Sequence, residues 1–86
     1  MSPSQRARAD VTGIADWLHG RIAAYADLAP DSFTDDTPFA DLGFTSVYAQ
    51  VLCGDIEDFF GIEAEPKVVW DHPTVHELAA ALEELL

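Results

Sequence analysis

Ser46 is the side chain whose sequence surroundings best suit a chemical reaction. It lies in the segment 41–47, which reads DLGFTSV, so a glycine turn delivers it to the start of an amphipathic stretch. The first N–H groups of a helix are unpaired and lie at its positive end, where they favour a phosphate group. The segment is therefore compatible with a serine that carries a phosphodiester. Taken alone, however, the pattern favours the alternative that Thr45 and Ser46 only cap the helix.

The acidic stretch that begins at Asp31 has a composition typical of a calcium loop. The EF-hand template requires an oxygen ligand at the third position, glycine at the sixth and glutamate at the twelfth. The sequence places Phe33, Asp36 and Leu42 at those positions. We therefore predict no calcium site.

Two histidines, His72 and His76, are spaced four residues apart and have Glu77 beside them. Pro73 and a helix cap at Thr74 place His72 before the helix, so the two rings need not share a face. The pattern favours exposed histidines over a zinc site, and we predict no bound metal.

Cys53 is the single cysteine, which excludes an intramolecular disulfide and a four-thiolate zinc site. A Cys53–His dyad would be a third kind of site, but nothing in the sequence positions the pair, and a lone helical cysteine is usually a small hydrophobe. The chain start has no signal-peptide pattern, and no stretch approaches the ~20 apolar residues of a membrane span. We expect a cytoplasmic protein that does not enter a membrane.

The charge is strongly acidic and unevenly distributed. The 86 residues include 16 Asp and Glu against 4 Lys and Arg, a net charge of −12. Residues 1–21 carry three Arg against two Asp (+1), whereas residues 22–86 carry one Lys against 14 acids (−13). Nucleic acid is excluded as a partner because its binding needs clustered basic residues. The acidic body indicates partners with basic patches, or serves solubility alone.

The pattern of apolar residues predicts one all-α domain over residues 10–86, preceded by a flexible arm at 1–9. Asp10 is the expected cap of the first helix, and Pro30 limits how far that helix extends. Helical spacing is seen at both ends of the chain, in the residues Val11, Ile14, Leu18, Ile22 and Tyr25 and in the residues Val75, Leu78, Leu82 and Leu85. The sequence from Thr74 to Glu77 is typical of a capping box.

Residues 28–45 form a long connection, in which we expect Phe39 and Leu42 to insert into the core through a helical turn that begins at Pro38. A helix over 46–60 follows, with Thr45 as its cap and Gly61 as its end. Its expected apolar residues are Val47, Val51, Leu52, Ile56, Phe59 and Phe60. The segment 67–70 is either a short helix or an extended link. Together these elements predict a small four-helix bundle, with three main helices and one short helix.

Two motifs resemble those of acyl carrier proteins. Residues 36–47 (DTPFADLGFTSV) resemble the segment to which these proteins attach phosphopantetheine, which usually reads Leu-Gly-x-Asp-Ser-Leu. Residues 70–79 (WDHPTVHELA) are similar to the Phe-Asp-His-Pro-Thr tract of polyketide-synthase carrier domains. Gly61 and Ile62 lie where the family ends its second helix. The attachment segment of peptidyl carriers more often reads Leu-Gly-Gly-x-Ser, so the resemblance favours an acyl carrier over a peptidyl carrier.

The resemblance implies a carrier rather than an enzyme. Ser46 would receive 4′-phosphopantetheine from coenzyme A through a phosphopantetheinyl transferase and Mg²⁺, and the arm would hold fatty-acyl or polyketide intermediates as thioesters. The expected partners are an acyl-loading ligase or acyltransferase and a ketosynthase or related enzymes with basic patches, which meet a monomeric carrier. The alternative is an unmodified docking module that acts through its acidic second helix.

The sequence departs from the usual motif on both sides of the serine, with Thr45 for Asp and Val47 for Leu, which bears on which transferase accepts it. The second helix also gives two conflicting registers. The family register directs Gln50 and Cys53 inward and exposes Tyr48 and Val51. Simple periodicity instead buries Tyr48 and Val51 and exposes Gln50 and Cys53. We favour the family register, in which Tyr48 and Val51 belong to a partner surface. The residues that we expect to contact partners are Thr45, Val47, Tyr48, Val51, Asp55, Glu57, Asp58 and Glu63.

A finer resemblance concerns the loading enzyme. The stretch from Ser46 to Phe59, together with Trp70-Asp71, resembles carriers loaded by fatty-acyl-AMP ligases. The sequence leaves open the acyl group and the pathway. Met1 favours a free-standing protein, whereas the abrupt end at Leu86 also suits a domain of a larger synthase.

Overall fold

The computed structural model describes residues 11–86, so the expected arm at 1–9 and the Asp10 cap lie outside the described residues. The described part consists of four α-helices and two short 3₁₀ turns, without strands, which confirms the all-α prediction. The helices are α1 (Val11–Ala26), α2 (Ser46–Phe60), α3 (Pro66–Asp71) and α4 (Val75–Leu85). The 3₁₀ turns, Pro30–Ser32 and Phe39–Leu42, lie in the connection between α1 and α2.

Helix α1 packs mainly against α4. Its apolar stripe at i, i+4 and i+8 (Ile14, Leu18 and Ile22) is fully buried, as the spacing predicts. The helix ends before Pro30, because Asp27 adopts a left-handed φ of 55°. The N–H of Leu28 then donates to the carbonyl of Ala23 (2.9 Å), which completes the C-terminal turn. Aspartate is among the few residues other than glycine that tolerate this conformation.

The inward face of α2 differs from both expected registers. The buried residues are Ala49, Leu52, Cys53 and Ile56, which follow one seam at spacings of three, one and three. Cys53 is inside and Val51 outside, as in the family register, but Gln50 is exposed and Tyr48 is half-buried against the core. The expected apolar side was therefore partly wrong, because Val47, Val51 and Phe59 are 65%, 46% and 46% exposed.

The connection between α1 and α2 is fixed to the core and to the start of α4. Phe39 is buried and Leu42 is packed against the core, as predicted, in a turn that follows Pro38. The N–H of Phe39 donates to the carbonyl of Pro73 (2.8 Å), and the N–H of His76 donates to the carbonyl of Asp35 (3.0 Å). The connection is thus hydrogen-bonded to the start of α4 at two points.

The ambiguous segment at 67–70 is helical, within α3, which has Pro66 in its first turn, where proline is tolerated. The predicted cap of α4 is present, since Oγ1 of Thr74 accepts a hydrogen bond from the N–H of Glu77 (3.1 Å). Leu85, predicted as part of the apolar stripe of α4, is instead 56% exposed at the end of the helix.

Candidate functional site

The turn before α2 delivers Ser46 to the protein surface. Gly43 has a φ of 71°, the left-handed region that favours glycine, and it ends the 3₁₀ turn Phe39–Leu42. The next residue, Phe44, is buried, and the centroid of its ring lies 5.2 Å from that of Phe39. With the chain held by Phe44, Ser46 begins α2 as an exposed residue.

The start of α2 has free hydrogen-bond donors. Oγ1 of Thr45 accepts a hydrogen bond from the N–H of Tyr48 (3.4 Å), which confirms Thr45 as the cap. The N–H of Ala49 donates to the Thr45 carbonyl (3.0 Å). Within residues 11–86, the N–H groups of Ser46 and Val47 have no partner. The first turn of α2 contains no acidic residue. A phosphate on the Ser46 hydroxyl therefore fits this helix end.

An exposed row of side chains continues from this end along α2. At ~100° per residue, the positions opposite the buried seam are Val47, Val51, Gly54 and Asp58, which we call the outward stripe. All four are exposed. The stripe thus combines two apolar side chains next to Ser46 with a carboxylate further along.

The acids expected to contact partners fall into two groups. Oδ2 of Asp55 lies 3.6 Å from Nε of Arg21 on α1. Oε2 of Glu57 accepts a hydrogen bond from the N–H of Ala64 (2.9 Å), which fastens the loop after α2. Asp58 and Glu63 are exposed. Two of these four acids therefore already have contacts within the bundle.

Trp70 is an exposed apolar residue that the sequence reasoning did not assign to a surface. It is 46% exposed on α3, which packs against α2, while the preceding Val69 is fully buried. A helical prediction for residues 66–71 would have indicated the exposure of Trp70. Adjacent residues of a helix point about 100° apart, so Trp70 points away from the core when Val69 is buried.

The other chemical candidates have no suitable geometry. Cys53 is buried, and burial together with the negative charge of Glu57 raises the pKa of its thiol, so a nucleophilic thiolate is disfavoured. Residues 11–86 contain no cluster of three side chains that could hold a metal ion. The ring of His76 instead lies 3.8 Å from Oδ1 of Asp36.

The family model described as the phosphopantetheine attachment site matches residues 16–82, which include Ser46 and all of α2, α3 and most of α4. The chain belongs to this phosphopantetheine attachment family. The cofactor of this family is 4′-phosphopantetheine, attached covalently, and the chain is a phosphopantetheine-binding carrier.

Relatives of this family member occur within large polyketide synthases. The chain is 36% identical over 75 residues to a phenolphthiocerol/phthiocerol polyketide synthase of Mycobacterium tuberculosis, a match that covers 84% of the chain. It is 34% identical over 64 residues to a 5-methyl-1-naphthoate synthase of Streptomyces sahachiroi, covering 74% of the chain. The chain spans about 4% of the length of either synthase.

Solved structures of carrier proteins have the same fold as this family member. A free-standing peptidyl carrier protein from Acinetobacter baumannii superposes with a TM-score of 0.84 at 29% identity, covering 91% of this chain and 99% of that protein. An acyl carrier protein from Anabaena, with a variant phosphopantetheinylation-site sequence, gives a TM-score of 0.79 at 30% identity, covering 99% and 91% of the two chains. These similarities confirm the predicted carrier-like helical bundle.

No helix within residues 11–86 is both long enough and apolar enough to cross a bilayer.

Proposed function

We propose that this protein is an acyl carrier protein of polyketide biosynthesis whose 4′-phosphopantetheine arm is attached to Ser46. The observation that carries the proposal is the placement of an exposed serine hydroxyl at the N-terminus of α2, beside two unpaired backbone N–H groups. A phosphopantetheinyl transferase transfers the arm from coenzyme A to the hydroxyl and releases adenosine 3′,5′-bisphosphate. The thiol of the arm then holds acyl groups as thioesters.

The residues around Ser46 have separate tasks in this proposal. Thr45 caps α2, and the N–H groups of Ser46 and Val47 face the end of the helix where the phosphodiester lies. Gly43 and the buried Phe44 hold the turn, so the hydroxyl stays accessible to the transferase. The helix end stabilises the attached phosphate, and the chain itself supplies no group to the acyl chemistry.

The polyketide assignment is supported by the synthases named above and by the tract at residues 70–79. The peptidyl carrier with a similar structure supports the fold, which peptidyl and acyl carriers share. Loading by a fatty-acyl-AMP ligase or an acyltransferase, transfer to a ketosynthase, a monomeric state and a cytoplasmic location complete the proposal. They are predictions from the sequence.

Intact-mass measurement tests this function. The purified unmodified protein is incubated with coenzyme A, Mg²⁺ and a phosphopantetheinyl transferase of broad specificity. We expect every molecule to gain the mass of one phosphopantetheine group, and a further acyl mass when acyl-coenzyme A replaces coenzyme A. If no mass is gained while an authentic carrier protein in the same tube is modified, the proposal is wrong, and the unmodified docking module becomes the better interpretation.

We also propose that the outward stripe of α2 contacts partner enzymes. Val51 is 46% exposed, close to Ser46 along the helix, on a body whose net charge is strongly negative. We expect Val51→Asp to lower the kcat/KM of the transferase for the carrier roughly tenfold, as for the loss of one central interface contact. Folding should be unaffected, because the side chain already faces solvent.

Leu85→Asp is the matched control, because Leu85 is a comparably exposed aliphatic residue on α4. We expect its kcat/KM to stay within about twofold of the wild type, since surface substitutions outside an interface have small effects. Equal losses in both variants would indicate a general effect of added charge and would contradict a partner surface on the stripe.

A further inference from the structure

His19 joins α1 to the long connection in a way that no motif predicted. Its Nδ1 lies 2.7 Å from Oδ1 of Asp35, and its Nε2 is hydrogen-bonded to the carbonyl oxygen of Pro30. The imidazole also stacks on the buried ring of Phe33, with ring centroids 4.1 Å apart and planes 5° from parallel. One side chain of α1 thus contacts three residues of the segment 30–35.

Both partners of the ring nitrogens are hydrogen-bond acceptors. A carbonyl oxygen has no proton to donate, and an ionised carboxylate only accepts, whereas a neutral imidazole has a single N–H. Two simultaneous hydrogen bonds therefore require the imidazolium form of His19, which donates from both nitrogens. Losing the proton would leave one nitrogen lone pair facing an oxygen lone pair.

The negative charges near His19 also favour its imidazolium form. Burial disfavours the imidazolium and lowers the pKa of His19, but the Pro30 carbonyl, the Asp35 carboxylate and the negative charge of Asp16 raise it, and the net pKa lies above its ordinary value. Asp16 lies on α1 and Asp35 on the connection. The adjacent Asp36 faces His76 of α4 instead.

The segment that His19 holds leads towards Ser46. The carbonyl of Asp35 accepts the N–H of His76, and four residues later the N–H of Phe39 donates to Pro73. We propose that His19 is a pH-dependent latch, whose imidazolium fastens residues 30–35 to α1 and whose deprotonation releases them, loosening the connection before α2. The latch is a property of the unmodified protein and does not depend on the arm.

The direction of the pH effect follows from the raised pKa of His19 in the folded state. The folded protein holds this proton more tightly than the unfolded chain, in which histidine titrates near 6.5. The stabilising contribution is therefore complete below about pH 6.5 and is lost as the pH rises through the higher pKa of the folded state. The connection should loosen as the pH rises from about 6.5 through the folded-state pKa of His19.

NMR on the unmodified protein tests the latch. The ring resonances of His19 should titrate above pH 6.5, and the amides of His76 and Phe39 report on the connection. Their hydrogen-exchange protection factors, corrected for intrinsic exchange, should fall roughly tenfold across the His19 titration, as expected for loss of one charge-assisted hydrogen bond. A titration below 6.5, or protection that is constant across it, would overturn the proposal.

Two variants separate the latch from general pH effects. In His19→Gln, a neutral side chain replaces the imidazolium, so the protection should be low at every pH and the step should disappear. His72→Gln, a matched histidine substitution outside the segment, should keep the step. If the step persists in His19→Gln, or vanishes in His72→Gln, His19 is not the latch. If His19→Gln does not fold, the titration of the wild type still decides.

Discussion

Ser46→Ala is expected to gain no mass under conditions in which the wild-type protein is converted completely to its phosphopantetheinylated form. The effect is all-or-none, because the substitution removes the oxygen atom that we propose accepts the arm. Ser46 is exposed, and its hydroxyl has no hydrogen-bond partner among the residues from 11 to 86. Alanine is a good helix former, so the variant should keep the fold and the unfolding midpoint of the wild type.

Two other hydroxyl groups, of Thr45 and Ser32, supply the controls for this prediction. Thr45→Ala loses the cap of α2, which costs about 1 kcal/mol of stability, but it keeps Ser46 and should still receive the arm. Ser32→Ala changes another serine, whose Oγ donates to the carbonyl of Ala29 (2.6 Å), and should be modified like the wild type. Modification of Ser46→Ala would show that a different hydroxyl carries the arm.

The ends of the helices and the position of Ser46 could be predicted because local residue types determine them. Thr45 and Thr74 cap helices through their own hydroxyl groups, and Gly61 ends α2 with a φ of 69°. A glycine turn followed by a capping threonine likewise determines where Ser46 begins α2. Each of these features involves residues within a few positions of one another, so the sequence pattern contains the information.

The full inward face of α2 could not be predicted, because it depends on what the helix packs against. The family register placed Cys53 inside and Val51 outside, as the structure has them, but Gln50 is exposed and Tyr48 is half-buried, against that register. The contacts of Asp55 with Arg21 and of Glu57 with Ala64 are likewise tertiary. Nothing in the local sequence indicates that these two acids are engaged within the bundle while Asp58 is exposed.

The contacts of His19 could not be predicted from the sequence. Its hydrogen-bond partners, Pro30 and Asp35, are 11 and 16 positions away, in a connection without helical periodicity. Phe33, on which the ring stacks, stands out in the sequence only as a residue that does not fit the calcium-loop template. The proximity depends on how α1 ends at Asp27, where the left-handed φ redirects the chain.

Phe39→Ala is expected to lower the free energy of unfolding by about 3–5 kcal/mol, the usual cost of truncating a buried phenylalanine. The side chain is 1% exposed, and its ring packs against that of Phe44, which lies between the Gly43 turn and Ser46. A domain of this size has a total stability of only about 5–10 kcal/mol. The substitution should therefore remove about half of the stability and lower the midpoint of urea unfolding strongly, as measured by urea titration followed by circular dichroism.

Phe59→Ala is the matched control, because it removes the same atoms from a side chain that is 46% exposed. Phe59 stacks on Trp17, with ring centroids 4.9 Å apart, so its loss should still cost about 1 kcal/mol. The difference between the two variants measures how far the connection, rather than the helices alone, supports the bundle. If Phe39→Ala costs no more than Phe59→Ala, the connection does not anchor the core, and the placement of Ser46 must then depend on α2 itself.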